Sequence, residues 1–309
     1  VRGPFQGGPD PARVAVVIVS FNTREELRRC LRSLVDQATL PLQVIVVDNA
    51  SGDQSPETVR RDFATVLLLE NDENLGFARA ANRGLREARA PYVLFLNSDA
   101  EVRPGALETL VALLDARPEV GVVGPRTRGT DGTIQVSSGP ALTPLSEWRQ
   151  RRLVRGVRGR VPAALARAER IHAEEHEPPW VSAACLLARR EALLAVGGFD
   201  EAFFLYEEDV DLCVRVRRAG WRILFTPRAD VLHHLGRSME KAGTRGDLEY
   251  HRSHILYYRK HNGRLSLALL RAHVSLLALS RWVAALGRGP ERQGLRRDAG
   301  RLLRAAWKA

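Results

Sequence analysis

Tyr92-Val93-Leu94-Phe95-Leu96 runs straight into Asn97-Ser98-Asp99. Five consecutive apolar residues of β-favouring type read as a strand buried on both faces, and the switch to polar residues marks its carboxyl end. In an open α/β sheet, ligands gather outside such ends. A carboxylate placed there can hold a hard divalent cation, Mg²⁺ or Mn²⁺, which takes one or two protein carboxylates and completes its shell with water and phosphate oxygens. That chemistry suits a nucleoside diphosphate. Asn and Asp also end strands simply as turn formers, so the neighbouring segments must decide between the two readings.

Upstream, Val14 to Ser20 is another apolar run, followed by Phe21-Asn22-Thr23 and a helical spacing of Leu27, Leu31, Leu34 and Val35. Val44 to Val47 ends at Asp48-Asn49 before the turn Ala50 to Asp53. The alternation continues through Val66 to Leu69, a helix near Ala78 to Ala88, the strand at 92–96, a Pro104-started helix to Ala116, and Val120 to Val123. Repeated β-α units with wholly apolar strands predict an α/β protein with a single Rossmann-like, mainly parallel sheet and helices on both faces. Ser20, Asn22, Asp48, Asn49 and Asp99 then share one rim, as a nucleotide pocket requires. Asn74-Leu75-Gly76-Phe77-Ala78 leads into a helix whose N-terminus suits phosphate, with Gly76 permitting close backbone approach. Neither GxGxxG nor GxxxxGK[ST] is present, which excludes a dinucleotide fingerprint and a Walker-type loop.

After Gly124 the pattern loosens, and residues 126–178 read as a long insertion or lid. Order returns with Trp180 to Ala188 and a short helix ending at Gly197-Gly198. Glu207-Glu208-Asp209-Val210-Asp211 then opens a helix, behind the apolar wall Phe203 to Tyr206. Acidic residues in a first turn satisfy the helix dipole, yet a carboxylate beside apolar residues also becomes a better base. Trp221 to Phe225 and Val231-Leu232 read as strands, the second running into His233-His234. An imidazole paired with Asp99 makes a mixed site for Mn²⁺ or Mg²⁺, or else donates directly to a diphosphate.

The net charge of +11 over 309 residues suggests nucleic acid or an anionic membrane until it is located. Residues 149–170 carry +7 and residues 281–309 carry +6, which leaves the rest at −2. A near-neutral body with two basic segments, and no zinc-finger or RNP motif, argues against a nucleic-acid partner. The three cysteines form no CxxC pair and no disulfide framework, which favours a reducing compartment. Residues 1–12 read as a flexible leader without the pattern of a signal peptide. Arg252 to His261 and Leu265 to Leu286 read as helices; Arg271, His273 and Arg281 interrupt the second, so a transmembrane span is not expected. Two roles stay open for it: packing on the body or in a homodimer, and lying on the inner membrane face with the basic tail.

Several segments together resemble glycosyltransferase family 2, the inverting enzymes of the GT-A fold, within its rhamnosyltransferase-like branch. They are Val-Ser-Phe-Asn at 19–22, Val-Asp-Asn-Ala-Ser at 47–51, Asn-Leu-Gly-Phe-Ala at 74–78 with Asn82 and Gly84, and Leu-Asn-Ser-Asp at 96–99. Gly-Gly-Phe-Asp-Glu at 197–201, Phe-Leu-Tyr-Glu-Glu-Asp-Val-Asp-Leu at 204–212, and His233 with Ser238 complete the set. The resemblance implies a catalytic domain over 13–240, with a nucleotide-sugar half at 13–124 and an acceptor and base half at 125–240, and a helical extension over 241–309. It implies Asp209 as general base preceded by Glu208, Asp99 with His233 at a divalent metal, and Asp48 at the nucleobase. Ser20, Phe21, Asn22, Asn74, Gly76, Phe77, Asn82, Asn97 and Ser98 would surround the nucleotide sugar. The family's Asp-x-Asp appears here as Asn97-Ser98-Asp99, so one of its two carboxylates is missing. The implied reaction moves a sugar from a dTDP-, UDP- or GDP-linked donor, dTDP-L-rhamnose foremost, to a glycan or polyprenyl-linked acceptor in bacterial cell-wall or polysaccharide synthesis. The setting is cytoplasmic, on or near the inner membrane face. A nucleotidyltransferase would want a glycine-rich basic loop where Val19 to Arg24 has no glycine, and a non-catalytic nucleotide-sugar-binding module would have no use for Asp209.

Overall fold

The computed structural model describes residues 12–234, 237–286 and 290–308. Of the expected leader only Ala12 falls within them, and Gly236 and the side chain of Ser238 lie outside the described residues. The elements of the first half are β1 (Val14–Ser20), α1 (Arg24–Gln37), β2 (Leu42–Asp48), α2 (Ser55–Asp62), β3 (Leu67–Glu70), α3 (Phe77–Glu87), β4 (Tyr92–Leu96), β5 (Ala100–Val102) and α4 (Ala106–Ala116). β6 (Val120–Arg128), β7 (Ile134–Gln135), β8 (Ser138–Gly139), α5 (Pro144–Arg158), α6 (Pro162–Ile171), β9 (Trp180–Val181), β10 (Cys185–Arg189) and α7 (Arg190–Ala195) follow. The chain closes with α8 (Glu208–Arg218), β11 (Arg222–His233), α9 (Arg237–His261), α10 (Arg264–Ala284) and α11 (Pro290–Lys308).

The main sheet has the order β3-β2-β1-β4-β10-β6-β11-β5, with β7 beside β6 and a separate β8-β9 ribbon. β3, β2, β1 and β4 are parallel, and their registers set Ser20 level with Asp48, and Asp48 level with Glu70. Beyond β4 the sheet is mixed: β10 enters antiparallel between β4 and β6, while β11 runs parallel to β6 and antiparallel to β5. β10 is reached from the 126–178 excursion and not through a crossover helix, so it is free to run against β4.

The apolar strands are continuous because both faces are covered. Alternate residues divide cleanly: Val17, Val47, Val93 and Phe95 join one apolar cluster with α3, α8 and α9, and Ile18, Val46, Leu94 and Leu96 join another with α1, α2 and α4. The 126–178 insertion is built largely of α5 and α6, and β11 is one strand with a register shift between Thr226 and Asp230 where the sequence predicts two. α9 begins well before the expected Arg252 and lends Ile255, Tyr257 and Tyr258 to the same cluster as Phe203 and Leu212, so residue 240 falls inside a helix.

α10 occupies the segment at 265–286 that the sequence predicts to be helical. It is long and apolar enough, by length and composition, to cross a membrane, with a mean hydropathy of 1.3 over its most apolar window, of which 17% is buried. Two of its cations are held by neighbours, Arg281 by Asp247 of α9 and Arg271 over the Trp307 ring of α11. Leu265, Leu269, Leu276, Leu279 and Val283 are left as an exposed apolar stripe at helical spacing.

Candidate active site

The loops after β1 and β2 are laced together. The Asn22 N–H donates to Ser51 Oγ (2.9 Å), the Gly52 N–H to Asn22 Oδ1 (2.8 Å) and the Arg24 N–H to Asp53 (2.9 Å), and Asn22 is held at φ 54°. Below them, the hydroxyls of Ser20, Thr23 and Ser98 form a buried chain across the ends of β1 and β4, with separations of 3.1 and 2.9 Å. Asp48 is the exception to this mutual satisfaction. It is 2% exposed; one carboxylate oxygen accepts the Ser51 N–H at 2.8 Å, and the other is buried with no partner. Burial raises its pKa, opposed by the Ser51 hydrogen bonds. A buried acceptor without a donor costs stability, and the imide or amide N–H of a nucleobase would satisfy it. Phe21, on the same loop, is 42% exposed.

The motif at 74–78 serves mainly to join the two halves of the protein. Asn74 Oδ1 accepts the Gly76 N–H at 3.0 Å, and Gly76 O accepts from Asn49 Nδ2 at 3.0 Å. The first helical N–H of α3, that of Phe77, is taken by Phe204 O at 2.7 Å. Gly76 has φ +81°, and a Cβ there would stand 2.3 Å from Phe204 O. Asn82 is drawn away from the rim: it is 7% exposed, and its amide exchanges two hydrogen bonds (2.8 and 2.9 Å) with the Phe199 backbone.

Asp99 and His233 meet across the β5-β11 edge, with Asp99 Oδ1 and His233 Nε2 at 3.1 Å. His233 Nδ1 faces Gln135 Oε1 at 2.9 Å, while Gln135 Nε2 donates to His233 O at 2.7 Å. A histidine that gives its Nδ1 proton to Gln135 turns the lone pair of Nε2 toward the carboxylate, which is the state of a metal ligand. Adjacent ligands about 2.1 Å from an octahedral ion stand about 3 Å apart, so the pair fits Mg²⁺ or Mn²⁺. Among the described residues no group of three or more His, Cys, Asp or Glu is placed to hold a metal, and two protein ligands suit an ion that shares its shell with a diphosphate. Asn97 Nδ2 lies 3.4 Å from His233 Nε2, and His234 turns aside to Glu101 at 2.6 Å.

Glu208 and Asp209 open α8. Asp209 Oδ2 accepts the Ala183 N–H at 3.0 Å and Oδ1 the Val210 N–H at 2.8 Å. Burial pushes its carboxyl up to about 6, against the lowering effect of the Ala183 N–H. Glu208 is 6% exposed with one oxygen unpartnered, and burial, reinforced by the Asp209 charge, raises it well above the carboxylate range. Asp209 is therefore a carboxylate at neutral pH that still accepts protons readily, as a general base must. Asp211, by contrast, faces inward to Arg215, Lys260 and His261.

Sequence reasoning missed the supports. Tyr206 and Glu207 both have positive φ (70° and 62°), which fixes how α8 begins. Glu207 is held by His254 Nδ1 at 3.0 Å, and His254 Nε2 reaches Glu147 of α5 at 3.0 Å, with the ring 1% exposed. No local pattern links residues 147, 207 and 254, and Gln135 sits in a two-residue strand too short for any periodicity to mark.

A profile of Glycosyl transferase family 2 matches residues 15–194. The chain is similar to an N-acetylglucosaminyl-diphospho-decaprenol L-rhamnosyltransferase of Mycobacterium tuberculosis, with 32% identity over 272 residues, covering 80% of this chain and 85% of the relative. It is also similar to an O-antigen biosynthesis protein of Myxococcus xanthus, with 29% identity across 80% of this chain and 18% of that one. Its fold matches a mannosyltransferase from Pyrobaculum calidifontis solved in complex with GDP-mannose and Mn²⁺, with TM-score 0.56 and 19% identity, covering 100% of this chain and 88% of that chain.

Proposed function

The chain belongs to glycosyl transferase family 2, and from that premise we propose that it transfers L-rhamnose from dTDP-L-rhamnose to the GlcNAc of a diphospho-polyprenol, with inversion at the anomeric carbon. The observation that carries this reading is the Asp99–His233 pair, oriented by Gln135 at the carboxyl edge of the sheet. Asp48, with its unpartnered oxygen, takes the base N–H; Phe21, Asn22 and the loop after β2 border the nucleoside. Asp99 and His233 would hold the divalent ion. When bound, that ion supplies charge neutralisation to the diphosphate leaving group. Asp209 accepts the proton of the acceptor hydroxyl as that oxygen attacks opposite the leaving group.

In this reading the catalytic domain runs from about residue 13 through α9, which packs into its core, and α10 and α11 anchor it to lipid. The exposed stripe on α10, with Trp282 and Trp307 exposed nearby and the basic α11 alongside, suits the inner face of an anionic membrane, where a polyprenyl acceptor resides. Similarity to the mycobacterial rhamnosyltransferase supports the donor and the acceptor, and the GDP-mannose complex of a structural neighbour supports the class of ligand. The test supplies dTDP-L-rhamnose, UDP-glucose or GDP-mannose with a short-chain GlcNAc-diphospho-prenol and Mn²⁺ or Mg²⁺. The expected product carries rhamnose of inverted configuration; transfer from only the UDP or GDP sugar, or with retention, would refute the reading.

A further inference from the structure

Residues 149–160 hold six arginines, and α5 ends among them. Cations in a last helical turn complement the helix dipole, which accounts for Arg155 and Arg158 as sequence. It does not account for where Arg158 lies. The end of α5 and the β6-β7 hairpin face each other across a cavity of about 830 Å³ whose floor includes Ser182, Ala184 and His233. Ala183, between the two floor residues, donates its N–H to Asp209, so the cavity adjoins the general base at one point and the metal pair at another. It has room for more than one sugar ring.

The walls differ in character. Ile134 and Val136 on the hairpin and Val154 and Val157 on α5 give them an apolar part. The cationic part is Arg158 and Arg160, and Arg160 is neutralised by Asp131 at 2.7 Å. Arg158 makes no hydrogen bond or ion pair with a described residue. Its charge reaches Tyr206, at the turn into α8. A guanidinium with no ion-pair partner among the described residues, beside an apolar strip and open to the floor where a sugar hydroxyl must meet Asp209, is the complement of a diphosphate joined to a hydrocarbon chain.

We propose that this cavity seats the prenyl diphosphate of the acceptor, with Arg158 holding the diphosphate and Val154, Val157, Ile134 and Val136 receiving the first prenyl units. The site rests on the lipid-linked acceptor of the preceding section, and its test separates the two. Binding of farnesyl diphosphate to the full chain is measured by calorimetry in EDTA, so that the probe cannot bind by chelating metal. Arg158→Ala weakens it by about ten- to hundredfold, the worth of a charge-assisted hydrogen bond, whereas Arg160→Ala stays within about threefold. Farnesol and inorganic pyrophosphate each bind more weakly than farnesyl diphosphate. Equal binding of either one, or an Arg158→Ala chain that binds like the wild type, overturns the proposal. In transfer assays Arg158→Ala raises KM for GlcNAc-diphospho-prenol but not for a neutral alkyl GlcNAc glycoside, with kcat little changed. A KM unaltered on both acceptors removes the site and leaves the rhamnosyl transfer standing; Arg158-dependent binding without any transfer does the reverse.

Discussion

His254→Gln tests the clasp that spans the insertion, the turn into α8 and α9. His254 is 1% exposed and lies 3.0 Å from both Glu147 and Glu207, whose side chains are only 11% and 10% exposed. Those two carboxylates overcome the effect of burial and lift the imidazole from 6.5 to about 9. The difference is worth about 3 kcal/mol in favour of the protonated fold. Because the folded pKa lies above the unfolded one, this stabilisation is complete below pH 6.5 and is lost as pH rises through about 9. For cooperative unfolding of a chain this long, about 3 kcal/mol corresponds to about 5 °C. The wild-type Tm should fall by that amount between pH 6.5 and 9.

A glutamine in place of His254 can still hydrogen-bond but cannot neutralise two carboxylates in a space that also holds Arg151 and Tyr250. Breaking a buried charge pair typically costs about 3–5 kcal/mol, so the variant should melt well below the wild type at pH 6.5. The two curves should then converge toward pH 9, where the wild-type imidazole has also lost its proton. Differential scanning fluorimetry across this range reads both slopes. A wild-type Tm flat from 6.5 to 9, or a variant with the same slope as the wild type, would refute the reasoning.

Asp209→Asn should lower turnover by about two to four orders of magnitude while dTDP binding, read by thermal shift, persists. In the wild type, kcat should fall as pH drops through about 6, because the protonated carboxyl cannot accept the acceptor's proton. Gln135→Leu frees the His233 ring, and the metal concentration for half-maximal activity should rise about 10- to 100-fold with kcat largely recovered at saturation; an unchanged metal requirement would dissociate His233 from the ion. Gly76→Ala places a methyl group against Phe204 O at a positive φ, and should cost about 2 kcal/mol or more in chemical denaturation, as well as raising KM for the donor.

The first half of the sheet was legible because its determinants are local. Each strand there is a single apolar run ending in its own polar residues, so Ser20, Asp48 and Asp99 could be set on one rim from periodicity alone. Asn82 shows what lies beyond local pattern: its amide bonds the Phe199 backbone at a separation of 117 residues. The bounds of α5 and α6 stayed hidden because arginine supplies helix propensity without an apolar stripe, and α2 itself because SPETVRRD offers little signal after a proline. The exposed stripe on α10 was obscured for another reason. Arg271 and Arg281 look disruptive in the sequence, but neighbouring helices hold them and leave the leucines free.

The two halves of the site are therefore not independent modules sharing an edge. Gly76 and Phe77 at the start of α3 rest on Phe204, and Phe204 lies three residues before the Glu207 held by His254 and five before Asp209. Any displacement of the loop at 74–78 would press on the segment that leads into Asp209. The opposite face of that segment is fixed by α9 through Ser253, which donates to Leu205 O at 2.7 Å, and through His254. The segment 204–207 is thus gripped from the donor side and from the C-terminal helices at once. That arrangement explains why two consecutive residues tolerate left-handed backbone there: the contacts on both sides over-determine a conformation that the chain alone would not choose.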